Sequence, residues 1–137
     1  MSAQARAQLP VLRVPATPAH TNAGGDIFGG WIMSQVDIAG SIPAVRRARG
    51  RVVTVAVESL VFRRPVYVGD LLSLYAEVVK VGTTSITVDV TVDAERNPAA
   101  PQVVRVCEAR LVYVAVDGEG RKRPVPGAGD TNLQTER

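Results

Sequence analysis

The sequence predicts an α+β domain in which one long helix covers one face of an antiparallel β-sheet. Three observations carry this prediction. Valine-rich runs with alternating polar residues indicate strands, a single segment has helical spacing of its apolar residues, and the order along the chain is one strand, one helix and then four long strands. With 137 residues, 46% of them hydrophobic, the chain is long enough for one domain with its own core.

Composition excludes several classes of protein. No apolar run approaches the ~18 residues of a membrane span, and the start of the chain lacks the apolar core of a signal peptide, so we expect a cytoplasmic protein with no membrane partner. Cys107 is the single cysteine, which rules out a disulfide framework or a cysteine-based zinc site within one chain, and we expect a small buried hydrophobe. The net charge of +3 fits an anionic small ligand, and the few aromatic residues argue against nucleic acid as a partner.

The chain begins with a short strand, a loop and the helix. "LPVLRVP" predicts a strand that is closed by prolines, and "TPAHTNAGGD" predicts a loop. The helix is predicted over residues 29–49, with Ile32 and Val36 on one face and Gly50 as the residue that ends it. Pro43 lies inside this segment and removes one backbone hydrogen bond, so it is expected to kink or shorten the last turns.

Four long strands follow the helix. "RVVTVAVESLVF" is apolar almost throughout, which predicts that both of its faces are covered over part of its length. "LLSLYAEVVKV" and "SITVDVTVDAE" predict a hairpin around "GTT", and "QVVRVCEARLVYVAV" predicts the last strand. Because one helix covers only one face of the sheet, the other face is expected to need a further subunit.

The folded domain is predicted over residues 9–118. A polar N-terminus at residues 1–8 is expected to be flexible. Residues 119–137 are predicted to be a flexible C-terminal tail, because they have too little apolar content to pack well.

Asp37 is the candidate catalytic residue on the helix. The helix face opposite Ile32 carries small residues, among them Gly30, Ser34 and Ala44, and Asp37 is the only charged side chain in that stripe. Small residues let another backbone or a ligand approach closely, and an enclosed carboxylate at such a place is the arrangement used for a general base or a nucleophile. The alternative, equally open from the pattern alone, is an ordinary exposed aspartate.

A glycine-rich stretch, "GDIFGG", lies at the predicted start of the helix. The unpaired N–H groups and the positive end of the helix dipole at such a terminus can hold an anion or polarise a carbonyl oxygen, and Gly29 and Gly30 remove side chains that would block the approach. The alternatives are a glycine-rich turn without a ligand, and Asp26 as a simple N-terminal cap. The stretch matches neither a phosphate-binding loop nor a dinucleotide-binding motif.

Three separated segments resemble one known family. "TNAGGDIFGGWIMSQVDIAG", "GRVVTVAVESLVFRRPVYVGDLL" and "KVGTTSITVDVTV" follow the order and the intervals of the YciA-like acyl-CoA thioesterases of the hotdog-fold superfamily. The resemblance covers residues 10–118. It implies a single-domain hotdog fold, in which an antiparallel β-sheet is wrapped around one long central helix.

The resemblance also implies an activity and the residues that carry it. Such enzymes hydrolyse acyl-CoA thioesters to free coenzyme A and a fatty acid, here with a range of short to medium acyl chains. Asp37 matches the helix aspartate that serves as general base or nucleophile, and Asn22 matches an asparagine contributed by the neighbouring subunit. Gly29 and Gly30 match the glycines whose N–H groups polarise the thioester carbonyl. No metal or cofactor is implied, since coenzyme A is part of the substrate and of the product.

Coenzyme A carries phosphates, so cations and hydroxyl groups are expected near the mouth of the site. Six residues are candidates for these contacts: Arg63, Arg64, Lys80, Thr83, Thr84 and Ser85. The alternative for either arginine alone is a solvated turn. The expected partners are acyl-CoA and further copies of the chain, as a homodimer that assembles into a hexamer or a tetramer.

Two other functions stay open at the level of the sequence. A hotdog dehydratase acting on hydroxyacyl thioesters would share the fold, but His20 is the only histidine and lies in the loop before the helix, where a surface role is expected. A non-catalytic acyl-CoA sensing module is the second alternative. It would need an attached DNA-binding segment, and the residues before the first strand are too few to form one.

Overall fold

One α-helix and one sheet, with a single 3-10 turn at Pro18–His20, make up the part of the fold that the structure describes. The structure is a computed structural model and describes residues 8–127 of the chain, so most of the N-terminal segment predicted to be flexible lies outside it. The elements are β1 (Leu12–Pro15), α1 (Gly29–Ala48), β2 (Val52–Phe62), β3 (Leu71–Val81), β4 (Ser85–Arg96) and β5 (Gln102–Ala115). The strands form one antiparallel sheet in the order β1-β3-β4-β5-β2, which confirms the predicted α+β arrangement.

The core lies between α1 and the inner face of the sheet. Side chains of β4 alternate, so that Ile86, Val88, Val90 and Val92 are completely buried on the inner side. α1 contributes Ile32, Val36, Ala39, Ala44 and Ala48 to the same core. Full burial of each valine or isoleucine side chain stabilises the fold by about 1.5 to 3 kcal/mol, so this face fixes how the helix sits on the sheet.

The ends of α1 differ from the prediction. Its N-cap is Phe28, which makes no side-chain hydrogen bond to the helix, and the alternative of Asp26 as the cap is wrong. At the C-terminus Arg49, with a φ of 55°, takes the left-handed conformation that was expected of Gly50. Gly50 has a close neighbour, because a Cβ there would lie 2.7 Å from a guanidinium nitrogen of Arg123, which would have to move.

Part of the small-residue stripe of α1 faces its own sheet. Ala44, expected at the open face, is buried, as is Gly40 at the edge of the stripe, and a Cβ at Gly40 would lie 2.4 Å from the Tyr113 hydroxyl. The helix continues through Pro43 to Ala48, so it is not shortened at the proline. Within the part of the chain that the structure describes, no helix is long and apolar enough to cross a membrane.

β2 is an edge strand whose apolar side chains are exposed in the single chain. Exposure lies between 37% and 54% for five of them: Val53, Val55, Val57, Val61 and Phe62. The prediction that both faces of this strand are covered is therefore wrong for one chain alone. β1, at the other edge, has only four residues. A long, apolar, exposed edge strand is a template for pairing with a second chain.

The segment after β5 packs against the domain. Val125 is 1% exposed, and the Arg123 guanidinium donates hydrogen bonds to the carbonyl oxygens of Val116 and Ala48, the last residue of α1. The prediction that the tail packs poorly does not hold at Arg123 and Val125, whereas residues 119–122 are exposed. Residues 128–137, which the same prediction covers, lie outside the described residues.

Candidate active site

Asp37 lies on α1 beside two hydroxyl groups of the sheet. Its Oδ1 atom is 2.7 Å from Thr54 Oγ1 on β2 and 3.0 Å from the hydroxyl oxygen of Tyr113 on β5. The same tyrosine oxygen is 2.8 Å from the backbone carbonyl oxygen of Asp37. Asp37 therefore differs from an ordinary exposed helix aspartate, because two side chains of the sheet hold one of its carboxylate oxygens.

The strand register explains why these residues meet. Thr54 and Tyr113 are directly paired across β2 and β5. α1 crosses this pair at Asp37, and Gly40 follows three residues later on the same side of the helix. Because Gly40 has no side chain, the Tyr113 ring reaches under the helix as far as the Asp37 carboxylate.

Only one oxygen of the carboxylate is engaged. An ionised carboxylate can only accept hydrogen bonds, so the Thr54 hydroxyl donates to Oδ1, and the single hydroxyl hydrogen of Tyr113 is shared between Oδ1 and the Asp37 carbonyl oxygen. Burial, together with the charge of Asp37 and the hydrogen bond to it, raises the pKa of Tyr113 well above its usual value, so this hydroxyl keeps its proton at neutral pH. Oδ2 accepts no hydrogen bond from residues 8–127 and is the oxygen available to take a proton from water or to attack a carbonyl carbon.

The start of α1 presents free N–H groups, as predicted. The first helical N–H groups with a backbone acceptor are those of Trp31 and Ile32, which donate to the Phe28 carbonyl oxygen, and the N–H groups of Gly29 and Gly30 have no acceptor within the described part. A Cβ at Gly29 would come to 3.2 Å from the Phe62 ring, whereas a Cβ at Gly30 would meet nothing within 4 Å. Packing within one chain thus explains why residue 29 is a glycine, but it does not explain why residue 30 is one.

Asn22 organises the loop before the helix. Its side-chain Oδ1 accepts hydrogen bonds from the N–H groups of Gly24 and Asp26, and its own N–H donates to the Asp26 carbonyl oxygen. The same loop is tied to the helix start, because the N–H of Phe28 donates to the His20 carbonyl oxygen. The Asn22 amide nitrogen makes no hydrogen bond to residues 8–127 and can donate to a group from outside the chain.

The candidate catalytic residues form two separate groups within one chain. Asn22, Gly29 and Gly30 lie at the start of α1, and Asp37 lies about 12 Å further along the helix. For attack, the thioester carbon would have to lie within about 3 Å of the Asp37 carboxylate. The carbonyl oxygen bonded to that carbon would have to lie within about 3 Å of the Gly29 nitrogen. One chain therefore does not bring both groups to the same thioester.

The predicted coenzyme A contacts fall at the two ends of the sheet. Lys80 and the segment 83–85 lie at the end where β2 begins, and Arg63 and Arg64 follow its last residue. The length of β2, about 30 Å at the usual rise per residue, separates the two groups. Arg63 is also paired with Glu108 through two hydrogen bonds of 3.2 and 2.8 Å, which lower the pKa of that glutamate.

Further cations lie at the same end of the sheet as Lys80. The N–H of Val116 donates to the Arg51 carbonyl oxygen and the N–H of Ala115 donates to the Thr84 carbonyl oxygen, so the start of β2 and the β3–β4 turn flank the end of β5. Lys122 forms an isolated β-bridge with Val116 at the same place. Arg51 and Lys122, which are far apart in the sequence, therefore both lie beside the end of β5, next to the segment 83–85.

His20 and Cys107 have structural roles. His20 stacks on Trp31 with ring centroids 4.5 Å apart, and its Nδ1 is 3.0 Å from Thr17 Oγ1. Cys107 is buried, as expected, and burial together with the charge of Glu108 raises the pKa of its thiol to about 11. Among residues 8–127, no group of three or more His, Cys, Asp or Glu side chains is placed to hold a metal ion.

Thr54 and Tyr113 were not predictable from the sequence as site residues. Thr54 is the one hydroxyl in the run "VVTVAV", and Tyr113 is the one tyrosine of β5. A polar residue in an apolar strand and an aromatic hydroxyl that needs a partner when buried were the available signals. Strand alternation alone does not say which element approaches either residue.

Comparison with known proteins identifies the family. Residues 24–100, more than half of the chain, match the family model described as the Thioesterase superfamily. The chain belongs to the thioesterase superfamily. Acyl-CoA thioester hydrolase YciA of Salmonella typhimurium is 53% identical to it over 121 residues, which cover 87% of this chain and 91% of the relative. The resemblance to YciA-like acyl-CoA thioesterases is thus confirmed.

Solved structures confirm the hotdog fold for this superfamily member. Cj0915, a hexameric hotdog fold thioesterase of Campylobacter jejuni, superposes with a TM-score of 0.84 at 41% identity, over 92% of this chain and 93% of that one. An alanine variant of HI0827, a hexameric broad specificity acyl-coenzyme A thioesterase, superposes with a TM-score of 0.85 at 43% identity, over 93% of each chain.

Two further solved structures match the chain at lower identity. They are alanine variants of an acyl-CoA hydrolase from Staphylococcus aureus, and each matches this thioesterase-superfamily chain at 29% identity with a TM-score of 0.76 over 83% of its length and 69–70% of theirs. One variant replaces an aspartate and the other replaces a threonine.

Proposed function

We propose that the protein hydrolyses acyl-CoA thioesters to free coenzyme A and a carboxylic acid, with short- to medium-chain acyl groups as substrates. The observation that carries the proposal is the Asp37 carboxylate, which is fixed on α1 by Thr54 and Tyr113 with one oxygen left free. Relatives that are named acyl-CoA thioester hydrolases and match most of the chain support it. A broad specificity thioesterase among the matching structures supports a range of substrates.

Asp37 acts on the thioester carbonyl carbon. Its free Oδ2 takes a proton from a water molecule, whose oxygen adds to that carbon, or attacks the carbon itself in a two-step route. In the first route the C–S bond then breaks, and the departing sulfur of coenzyme A takes up the proton from Asp37. In the second route the bond from Oδ2 to the carbon displaces the coenzyme A thiolate and leaves an anhydride between the acyl group and Asp37. Water then cleaves the anhydride, which releases the carboxylic acid, restores the Asp37 carboxylate and supplies the proton that the thiolate takes up. Neither route requires a metal or a cofactor, because the carboxylate supplies the base or nucleophile and backbone N–H groups stabilise the charge that develops on oxygen.

The active site is shared between two subunits. The distance of about 12 Å between the start of α1 and Asp37 supports this, because one chain cannot serve both ends of the reacting group. Gly29 and Gly30 of one subunit, with Asn22 beside them, polarise a thioester carbonyl that Asp37 of the neighbouring subunit attacks. The open space where a Cβ at Gly30 would lie is consistent with an approach from outside the chain.

The subunits join through β2. Its exposed valines and its position at the edge of the sheet support pairing with the β2 strand of a second copy, which would continue the sheet across the dimer. Dimers assemble further into a hexamer, as suggested by matching thioesterases that are hexameric. A homodimer assembled in this way would act in the cytoplasm, where we expect the acyl-CoA substrate to be.

Coenzyme A is bound through its phosphates at the Lys80 end of the sheet. Lys80 and the segment 83–85 offer a cation and hydroxyl groups, and Arg51 and Lys122 add charge beside them. Arg63 and Arg64 lie at the far end of β2, so they reach the same ligand only if they come from another subunit. The ion pair of Arg63 with Glu108 makes Arg63 the weaker candidate.

The experiment that tests the function measures release of free thiol from acetyl- to palmitoyl-CoA with a thiol-reactive dye. We expect kcat/KM to rise with chain length over the short and medium acyl groups, because each buried methylene contributes up to about 0.8 kcal/mol of binding free energy. The rise should stop when the chain meets the wall of its pocket. A profile that is flat over all lengths would mean that the acyl chain stays in solvent. Activity on a single aromatic or hydroxylated acyl group alone would contradict the proposed substrate range.

Two controls separate the proposal from its alternatives. A dehydratase would change the acyl chain and keep the thioester, and a sensing module would bind acyl-CoA without releasing thiol, so mass analysis of the products distinguishes all three. The second control compares an acyl-CoA with the same acyl group on pantetheine. A higher KM for the pantetheine thioester is expected, because it lacks the nucleotide and its phosphates.

A further inference from the structure

Tyr113 makes a contact that the proposed reaction does not by itself explain. Its side chain is completely buried, and its hydroxyl lies 3.0 Å from Asp37 Oδ1 and 2.8 Å from the Asp37 carbonyl oxygen. A phenylalanine would fill nearly the same volume without leaving a polar group to satisfy. A buried hydroxyl aimed at the side chain and the backbone of the same aspartate therefore calls for a reason beyond packing.

We propose that Tyr113 is a positioning residue for Asp37, and that Gly40 is a glycine because any side chain there would displace the Tyr113 hydroxyl. The proposal rests on the proposed function, since it assumes that Asp37 acts on the thioester. Thr54 donates to Oδ1, and Tyr113, on the adjacent strand, shares its hydrogen between Oδ1 and the Asp37 carbonyl oxygen, so together they hold the carboxylate against the helix backbone and leave Oδ2 on the open side. Thr54 alone would leave the carboxylate free to rotate about a single hydrogen bond.

Gly40 supplies the independent geometric evidence. A Cβ at this position would lie 2.4 Å from the tyrosine oxygen and 3.2 Å from two ring carbons, so the clash is mainly with the hydroxyl. The helix backbone gives Gly40 no other reason to be glycine, because its φ is not among the positive values found in the chain. A glycine inside a helix lowers stability by about 1 kcal/mol relative to alanine, so a glycine at this position calls for an explanation. The room that it leaves for the Tyr113 hydroxyl provides one.

No charged side chain competes with Tyr113 for the carboxylate. Within residues 8–127 Asp37 takes part in no ion pair, and its side-chain partners are the Thr54 and Tyr113 hydroxyl groups. The side-chain contacts of the carboxylate are thus made by hydroxyl donors alone. The contribution of each donor can therefore be measured with a substitution that removes one oxygen atom.

The test combines Tyr113→Phe with Gly40→Ala. Tyr113→Phe is expected to lower kcat about 10- to 100-fold with KM for acyl-CoA changed less than twofold, since one hydrogen bond to a charged group is lost at the reacting side chain and not in the substrate site. Tyr75→Phe, a hydroxyl removed from another strand of the sheet, is the matched control and should leave both constants unchanged. A purely structural Tyr113 would give wild-type kcat in the folded Tyr113→Phe protein, and that result would overturn the proposal.

Gly40→Ala is introduced into the wild-type protein and into the Tyr113→Phe protein, and kcat and the melting temperature are measured for each. Alone it should lower both, and in the Tyr113→Phe background it should lower each of them much less, because the closest clash is gone. Equal losses in the two backgrounds would overturn the link between the two residues. The melting temperatures do not depend on activity, so they still test the contact if the wild-type protein fails to hydrolyse acyl-CoA, which is the outcome that would reject the proposed function instead.

Discussion

Asp37→Asn is expected to lower kcat for acyl-CoA hydrolysis by about 10²- to 10⁴-fold, the usual contribution of a positioned general base. The asparagine oxygen can accept the hydrogen bonds of Thr54 and Tyr113 as Oδ1 does, so the side chain keeps its place. Its NH2 group then occupies the position of Oδ2, where it neither accepts a proton nor attacks a carbon. The variant should therefore retain the fold and the affinity for coenzyme A, and lose only the chemical step.

The measurement is kcat by thiol release, together with circular dichroism and calorimetric binding of free coenzyme A. Asp89→Asn is the matched control, because Asp89 pairs with Arg110 on the outer face of the sheet and lies away from α1. It should keep wild-type kcat. If the folded Asp37→Asn protein retained most of its activity, Asp37 would be neither the base nor the nucleophile.

The second large effect is expected from a charged β2 edge. The double substitution Val55→Glu and Val57→Glu places like charges on a strand that we expect to pair with its own copy, so the dimer should dissociate and activity should fall to the level of Asp37→Asn. Both side chains are about half exposed in the single chain, at 54% and 45%, so the fold of each subunit should survive. The loss of activity follows because a single chain holds Asp37 too far from the N–H groups at the start of α1.

Analytical ultracentrifugation and kcat, measured on the same samples, test this expectation. Val103→Glu is the control, since Val103 is 64% exposed on β5 and does not belong to the β2 edge. It introduces the same charge and should leave a dimer intact. A monomeric and fully active double variant would show that one chain suffices, and the shared site would have to be abandoned.

The order of elements was predictable because the chain's periodicities are clear. β4 alternates without a break, and α1 carries its apolar residues at helical spacing, so each element and its buried face can be assigned from local pattern. The ends of the elements were harder to predict from the sequence. Arg49 takes the left-handed conformation ahead of Gly50, and the guanidinium of Arg123, from a distant part of the chain, lies against Gly50.

Tertiary contacts also explain the other wrong predictions. The apolar run of β2 predicts coverage on both faces, and a single chain cannot show that coverage if a second copy supplies it. The tail beyond residue 119 has few apolar residues, but Val125 enters the core and Arg123 closes the end of α1. A count of apolar residues does not detect a segment that is held by two side chains.

The candidate site was predictable only in part. Asp37 stands out as a lone carboxylate among small helix residues, and the resemblance to a family adds Asn22 and the two glycines. Thr54 and Tyr113 come from strands whose alternation tells which face a residue occupies, and not which helix residue lies above it. The gap of about 12 Å between the helix start and Asp37 follows from the helix rise alone and could have been predicted from the sequence.

The shared site is the central claim, and activity of mixed oligomers tests it most directly. Asp37→Asn and Asn22→Ala subunits carry different affinity tags, each pure variant has low activity, and tandem purification yields oligomers that contain both. If Asp37 of one subunit works with Asn22 of its neighbour, each mixed dimer regains one intact site of two, and kcat per dimer should return to about half of the wild-type value. Verified mixed dimers with no more activity than the pure variants would contradict a site shared between subunits.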